Sequence, residues 1–149
     1  MTDVAGGSTP PFSPTIALLS LSRMAEAELS ALLRAHDLTV RKYGVLGHIR
    51  GTPGISYSEL ARRSGITVQS VHALIGSLVD GGLVESVVDA TGLAARLTVA
   101  ARGERALRAI EAEVSALDEG LFSAPEMRAL ADALEAALRA RMTDARRRD

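Results

Sequence analysis

A mainly α fold with one small β-hairpin, a winged helix-turn-helix with a helical dimerisation region, is what the sequence predicts. Three observations carry it. Apolar residues recur at helical spacing along much of the 149 residues. A short helix, a Gly turn and a second helix between 59 and 80 lead into a β-rich hairpin at 83–98. A heptad seam follows, and such a seam needs a partner helix.

Residues 1–13 hold Gly6-Gly7-Ser8-Thr9-Pro10-Pro11 and read as a flexible N-terminal arm. Ser13-Pro14 starts a helix, with Ser as cap and Pro at the first helical position, and residues 14–37 form a first dimerisation helix. The winged helix-turn-helix spans 38–98. Its first helix opens at Leu38-Thr39 and carries Tyr43, Val45, Leu46 and Ile49 until Gly51-Thr52-Pro53-Gly54 breaks it. Ser56 and Glu59 form a capping box for a short helix over 59–64, which Gly65 ends. Thr67 caps the next helix, which buries Val68, Val71, Leu74, Ile75 and Leu78 and stops at Gly81-Gly82. Leu83 to Val88 and Ala94 to Thr98 are strands joined by a turn at Asp89-Ala90-Thr91-Gly92.

Residues 99–142 supply two more dimerisation helices. Thr98 caps the first, where Leu107, Ile110, Val114, Leu117 and Leu121 follow spacings of 3, 4, 3 and 4. Ser123 and Glu126 form a second capping box, and Met127, Leu130, Leu134 and Leu138 line one face of the last helix. A basic tail occupies 143–149.

Composition removes several function classes. No apolar run is long enough to cross a membrane, and no secretory leader is seen, so a cytoplasmic protein without membrane partners is expected. Zero Cys removes disulfides, thiol nucleophiles and Cys-ligated zinc. No GxGxxG, P-loop or HExxH motif occurs, and the three His are scattered without metal-ligand spacing. No catalytic residue, metal or cofactor is therefore assigned. The net charge is −1, so any basic surface must come from local clustering.

Four segments resemble the multiple-antibiotic-resistance regulator (MarR) family. Leu38 to Leu46 is similar to the opening of that family's second helix. Ser58-Glu59-Leu60-Ala61-Arg62-Arg63-Ser64-Gly65-Ile66-Thr67 is similar to its helix-turn. Leu78-Val79-Asp80-Gly81-Gly82-Leu83-Val84-Glu85 resembles its exit from the recognition helix, and Leu97-Thr98-Val99-Ala100-Ala101-Arg102-Gly103 its entry to the long helix. The resemblance spans roughly 15–142. It implies a homodimer built from the first and last two helices. It also implies double-stranded, palindromic DNA with the helix at 67–80 in the major groove. A small hydrophobic or phenolic effector would sit between the dimer region and the DNA-reading region. Two departures stand out: Thr91 replaces the family's wing Arg, and Ser86 stands where Arg is frequent.

The charge footprint for a duplex is thin. Between 51 and 98, three Arg face four Asp or Glu, and the helix from Thr67 to Asp80 has no Lys or Arg. Its outward side chains Gln69, Ser70, His72, Ala73 and Ser77 either reach base edges and phosphates or are ordinary solvated residues. Thr67, Arg62, Arg63 and Arg96 complete the DNA-contact candidates. Arg41 and Lys42 carry the same ambiguity. Gly76 is unusual inside a reading helix, and a close approach of another helix is one reason for it. Tyr43, His48, Arg50 and His36 are the effector-pocket candidates, set against a core role for Tyr43 and a surface role for His48.

The reading that follows is a homodimeric DNA-binding transcriptional regulator, a repressor released by a small molecule. A second reading is a repurposed member of the family that no longer reads DNA and acts as a small-molecule-binding protein or enzyme. The missing wing Arg and the Arg-free helix favour it. A protein–protein adaptor using the heptad seam ranks third.

Overall fold

The computed structural model describes residues 11–88 and 95–146. The arm at 1–10, the hairpin turn at 89–94 with Asp89 and Thr91, and the tail at 147–149 lie outside the described residues. The element order is α1 (Pro14–Arg34), α2 (Val40–Gly51), α3 (Tyr57–Ser64), α4 (Val68–Asp80), β1 (Val84–Val88), β2 (Ala95–Val99), α5 (Ala101–Leu121) and α6 (Pro125–Arg146). This is the winged helix-turn-helix arrangement that the sequence predicts.

Local chemistry sets most boundaries. Ser13 Oγ accepts from the Ile16 N–H, and Pro14 opens α1. Thr39, Ser56 and Thr67 cap α2, α3 and α4 by accepting the N–H of Lys42, Glu59 and Ser70 at 3.2, 3.2 and 3.1 Å. Gly65, at φ +65°, makes the left-handed turn between α3 and α4.

Several expectations are corrected. The helix α3 begins at Tyr57, not Glu59, and its capping box is half built: the Glu59 carboxylate turns to Arg62 and Arg63. Val68 is 41% exposed, because the first residue of α4 lies on the flank of the stripe that buries Val71, Ile75 and Leu78. Thr98 caps no helix. It pairs with Glu85 across the hairpin, and α5 starts after Ala100 with no side-chain cap. Backbone packing replaces the cap: the Ala100 N–H donates to the Leu83 carbonyl at 2.9 Å. Ser123 does not close a box either. Its hydroxyl donates back to the Gly120 carbonyl, satisfying the end of α5.

The hairpin pairs β1 and β2 antiparallel from Val84 opposite Val99 to Val88 opposite Ala95. A single bridge from Ile55 to Leu97 adds a third short edge that the breaker cluster at 51–54 conceals in the sequence. One core joins these parts through Leu33, Leu46, Leu60, Ile75, Leu97 and Ile110. The heptad seam is thus split. Leu107 and Ile110 are buried within the same chain alongside Leu33 of α1, whereas Val114, Leu117 and Leu121 are half-covered. No residue of α6 is buried among those described. No helix among the described residues is long and apolar enough to cross a membrane.

Candidate nucleic-acid interface and effector region

The helix α4 turns Val71, Ile75 and Leu78 inward, so its opposite stripe holds Gln69, Ala73, Gly76 and Asp80, all exposed. Gln69 is the one long hydrogen-bonding amide on that stripe. No helix approaches Gly76, since a Cβ there would meet nothing within 4 Å. The polar candidates divide over the two flanks. Thr67 and Ser70 join hydroxyls at 2.8 Å at the N-terminal end. Ser77 is taken by α2, whose Lys42 ammonium donates to its hydroxyl at 2.7 Å. On the other flank His72 stacks on Tyr57 of α3, with ring centroids 4.2 Å apart and planes 15° from parallel. The Tyr57 hydroxyl also lies 3.4 Å from Ser86 Oγ on β1, so Tyr57 joins His72 of α4 to the wing.

The arginine candidates are placed by their neighbours. Arg62 and Arg63 converge on Glu59, whose carboxyl their hydrogen bonds lower from 4.5 to about 2. Arg63 also donates to Thr52 Oγ1 at 2.7 Å, which braces α3 against the turn after α2. Arg96 reaches back from β2 to the Gly54 carbonyl at 3.3 Å.

The four effector-region candidates do not meet in one cavity. Tyr43 packs against the core. Arg50 pairs with Glu111 of α5, and this hydrogen bond raises the Arg50 pKa and lowers that of Glu111. His36 pairs with Glu113 at 2.8 Å, so the two acids tie α5 to α2 and the turn before it. His48 and Arg41 line a cleft of about 340 Å³ beside Ser64, whose buried Oγ has no hydrogen-bond partner among the described residues. A separate apolar groove of about 510 Å³ runs between α1 and α6, bounded by Leu18, Leu21, Leu29, Leu121, Met127 and Leu130. Among the described residues no group of three or more His, Asp or Glu is placed to hold a metal.

Tyr57, Glu111 and Glu113 contact the candidate residues and were missed by sequence reasoning. Helical periodicity marks what faces the core, and it says nothing of a partner tens of residues away.

The MarR family profile matches residues 36–92, the segment from the turn before α2 into the wing. Over 124 residues the chain is 32% identical to the HTH-type transcriptional repressor Rv2887 of Mycobacterium tuberculosis, covering 79% of this chain and 88% of that protein. The chain belongs to the MarR family. An identically matching repressor occurs in Mycobacterium bovis, again 32% identical over 124 residues, 79% of this chain and 88% of that one. Solved structures agree with the fold of this MarR family member. Rv2887 of M. tuberculosis in complex with DNA matches at TM-score 0.72 and 27% identity, covering 85% of this chain and 98% of that one. The same protein in complex with salicylic acid matches at 0.70 and 27%, over 86% and 98%. Wild-type MarR from E. coli matches at 0.74 and 17%, over 86% and 98%, and shows the fold alone.

Proposed function

We propose that this protein is a DNA-binding transcriptional repressor that works as a homodimer and is released by a small molecule. The observation that carries this reading is the exposed stripe of α4, capped by Thr67 and flanked by a wing, on a chain similar to a repressor whose structure with DNA is known. Gln69 reads a base edge, and Thr67 and Ser70 at the N-terminal end of α4 meet phosphate. His72, steadied by Tyr57, contacts the backbone or a base from the wing side. Arg62, Arg63 and Arg96 add positive charge near the duplex, and Ala73 permits close approach. The homodimer is supported by the apolar faces that α1 and α6 leave open, with Ile16, Leu18, Met24 and Leu138 each more than half exposed. The effector is supported by the relative's complex with salicylic acid. It shifts the population between spacings of the two α4 helices that fit, and do not fit, successive major grooves.

The test is a fluorescence-anisotropy titration with the DNA flanking its own gene and a scrambled duplex, at low and physiological salt. Selective binding that survives physiological salt is expected. Equal binding to both duplexes, or none, overturns the reading in favour of a repurposed small-molecule binder. The Arg-free stripe of α4, with Asp80 at its end, is what keeps that alternative in view.

A further inference from the structure

The exposed stripe of α4 carries no positive charge. Gln69, Ala73, Gly76 and Asp80 follow one another along it, and no Lys or Arg occurs from Val68 to Asp80. Base pairs differ in the major groove by what each edge offers. Guanine offers two acceptors, O6 and N7, which a guanidinium or ammonium takes together. Adenine offers an N6 donor beside its N7 acceptor, which suits the donor and acceptor of a single amide. Thymine offers a C5-methyl group, which a small apolar side chain covers. The stripe holds partners for adenine and thymine and none for guanine.

The surrounding side chains do not supply what the stripe lacks. The Lys42 ammonium donates to Ser77 Oγ at 2.7 Å, on the flank of α4 that faces α2. Arg62 and Arg63 converge on Glu59 within their own helix. Arg96 donates to the Gly54 carbonyl, and Arg41 lines the cleft beside Ser64 and Gly65. His72 lies flat on Tyr57, and an imidazole N–H on a purine N7 does not separate guanine from adenine, because both carry that acceptor. The hydroxyls of Thr67 and Ser70 suit either kind of base. Asp80 stands about 16 Å along the axis from Gln69, at the end of α4 away from the N-terminal residues that meet base edges.

We propose that α4 reads adenine and thymine and discriminates no guanine: Gln69 grips an adenine through N6 and N7, and Ala73 packs on the C5-methyl of a thymine. Gln69 and Ala73 are one turn apart on the stripe, about 6 Å along the axis, so the two bases lie about two steps apart. Contact between the Ala73 methyl and a base requires the helix to lie close in the groove. Gly76 allows that approach, since its exposed side carries no side chain and a Cβ there would meet nothing within 4 Å. The inference deepens the repressor reading and rests on it.

The experiment selects duplexes from a library randomised over its centre, using the full chain at physiological salt. The base pairs whose preference Gln69→Ala and Ala73→Gly relax should be A·T in the enriched half-site. On that duplex, 7-deazaadenine, which lacks the N7 acceptor, should weaken wild type at least about fivefold and leave Gln69→Ala unaffected. Uracil in place of thymine removes only the methyl, and should weaken wild type about fourfold and Ala73→Gly not at all. Each ratio is taken within one protein, so a general weakening by the Gly substitution cancels. A guanine required at a position that either substitution relaxes, or equal binding of the uracil and thymine duplexes by wild type, overturns the inference and leaves the repressor reading standing. A library from which no sequence is enriched sinks both.

Discussion

Two glycines show how differently one residue type can be used. Gly103 sits inside α5 where an added Cβ would fall 2.2 Å from the Leu83 carbonyl oxygen and 2.7 Å from Val99 Cγ1. The obstruction on one side is backbone, so it cannot swing away. Gly103→Ala should destabilise the protein by about 3 kcal/mol in urea unfolding, the upper part of the overpacking range. Gly76 has open space where a Cβ would stand, so Gly76→Ala should raise stability by up to about 1 kcal/mol through helix propensity. Glu59 adds a pH dependence. Its carboxyl is lowered from 4.5 to about 2 by bonds from Arg62 and Arg63, so its contribution is complete above 4.5 and fades as pH falls toward 2. Glu59→Gln should flatten the loss of urea midpoint over that acid window, and an unchanged slope would show that the arginine fork does not matter to folding. Few of these roles were legible. The spacing of Val71, Ile75 and Leu78 tells which side of α4 is inward, but not that Tyr57 lies under His72 or that Lys42 holds Ser77. Such partners leave no trace in local spacing.

Elements were far more legible than their ends. Side-chain caps at Ser13, Thr39, Ser56 and Thr67 announce four helices, because each satisfies a backbone donor within three residues. The start of α5 escapes such reading, since the Leu83 carbonyl replaces the cap and is close only in space. Ser123 misleads as well: its hydroxyl donates back to the Gly120 carbonyl at the end of α5 and makes no capping bond to α6 among the described residues. At α4 the element as a whole sets an expectation. With Ala73, Gly76 and Asp80 as the remaining members of the exposed stripe, the proposed reading assigns hydrogen-bonded base discrimination on that stripe to Gln69. Gln69→Ala should cost about 1–3 kcal/mol of discrimination between a selected site and a scrambled duplex, with non-specific affinity little changed. A uniform loss on both duplexes would instead assign Gln69 to phosphate.

At the scale of the molecule, a core of one chain takes in the C-terminal end of α1, α2 to α4, the wing and half of α5, yet leaves the N-terminal part of α1 and α6 with exposed apolar residues. Ile16, at 63% exposed, and Met24, at 64%, lie on α1, while Leu138, at 63%, lies on α6. Such surface on two long helices is costly in water unless a second copy covers it. In the proposed homodimer, two α4 helices held about one duplex turn apart would bind two half-sites with one loss of freedom. Leu134 borders the groove between α1 and α6 and is 43% exposed, so a charge there disturbs the open face more than the folded core. Leu134→Asp should therefore keep its helical circular dichroism, sediment as a monomer where wild type is a dimer, and lose most affinity for a palindromic site while binding a half-site as wild type does. A wild-type chain that stays monomeric at tens of micromolar, or a Leu134→Asp protein that remains dimeric, would mean that α1 and α6 fold on each other instead. The DNA would then be read one half-site at a time.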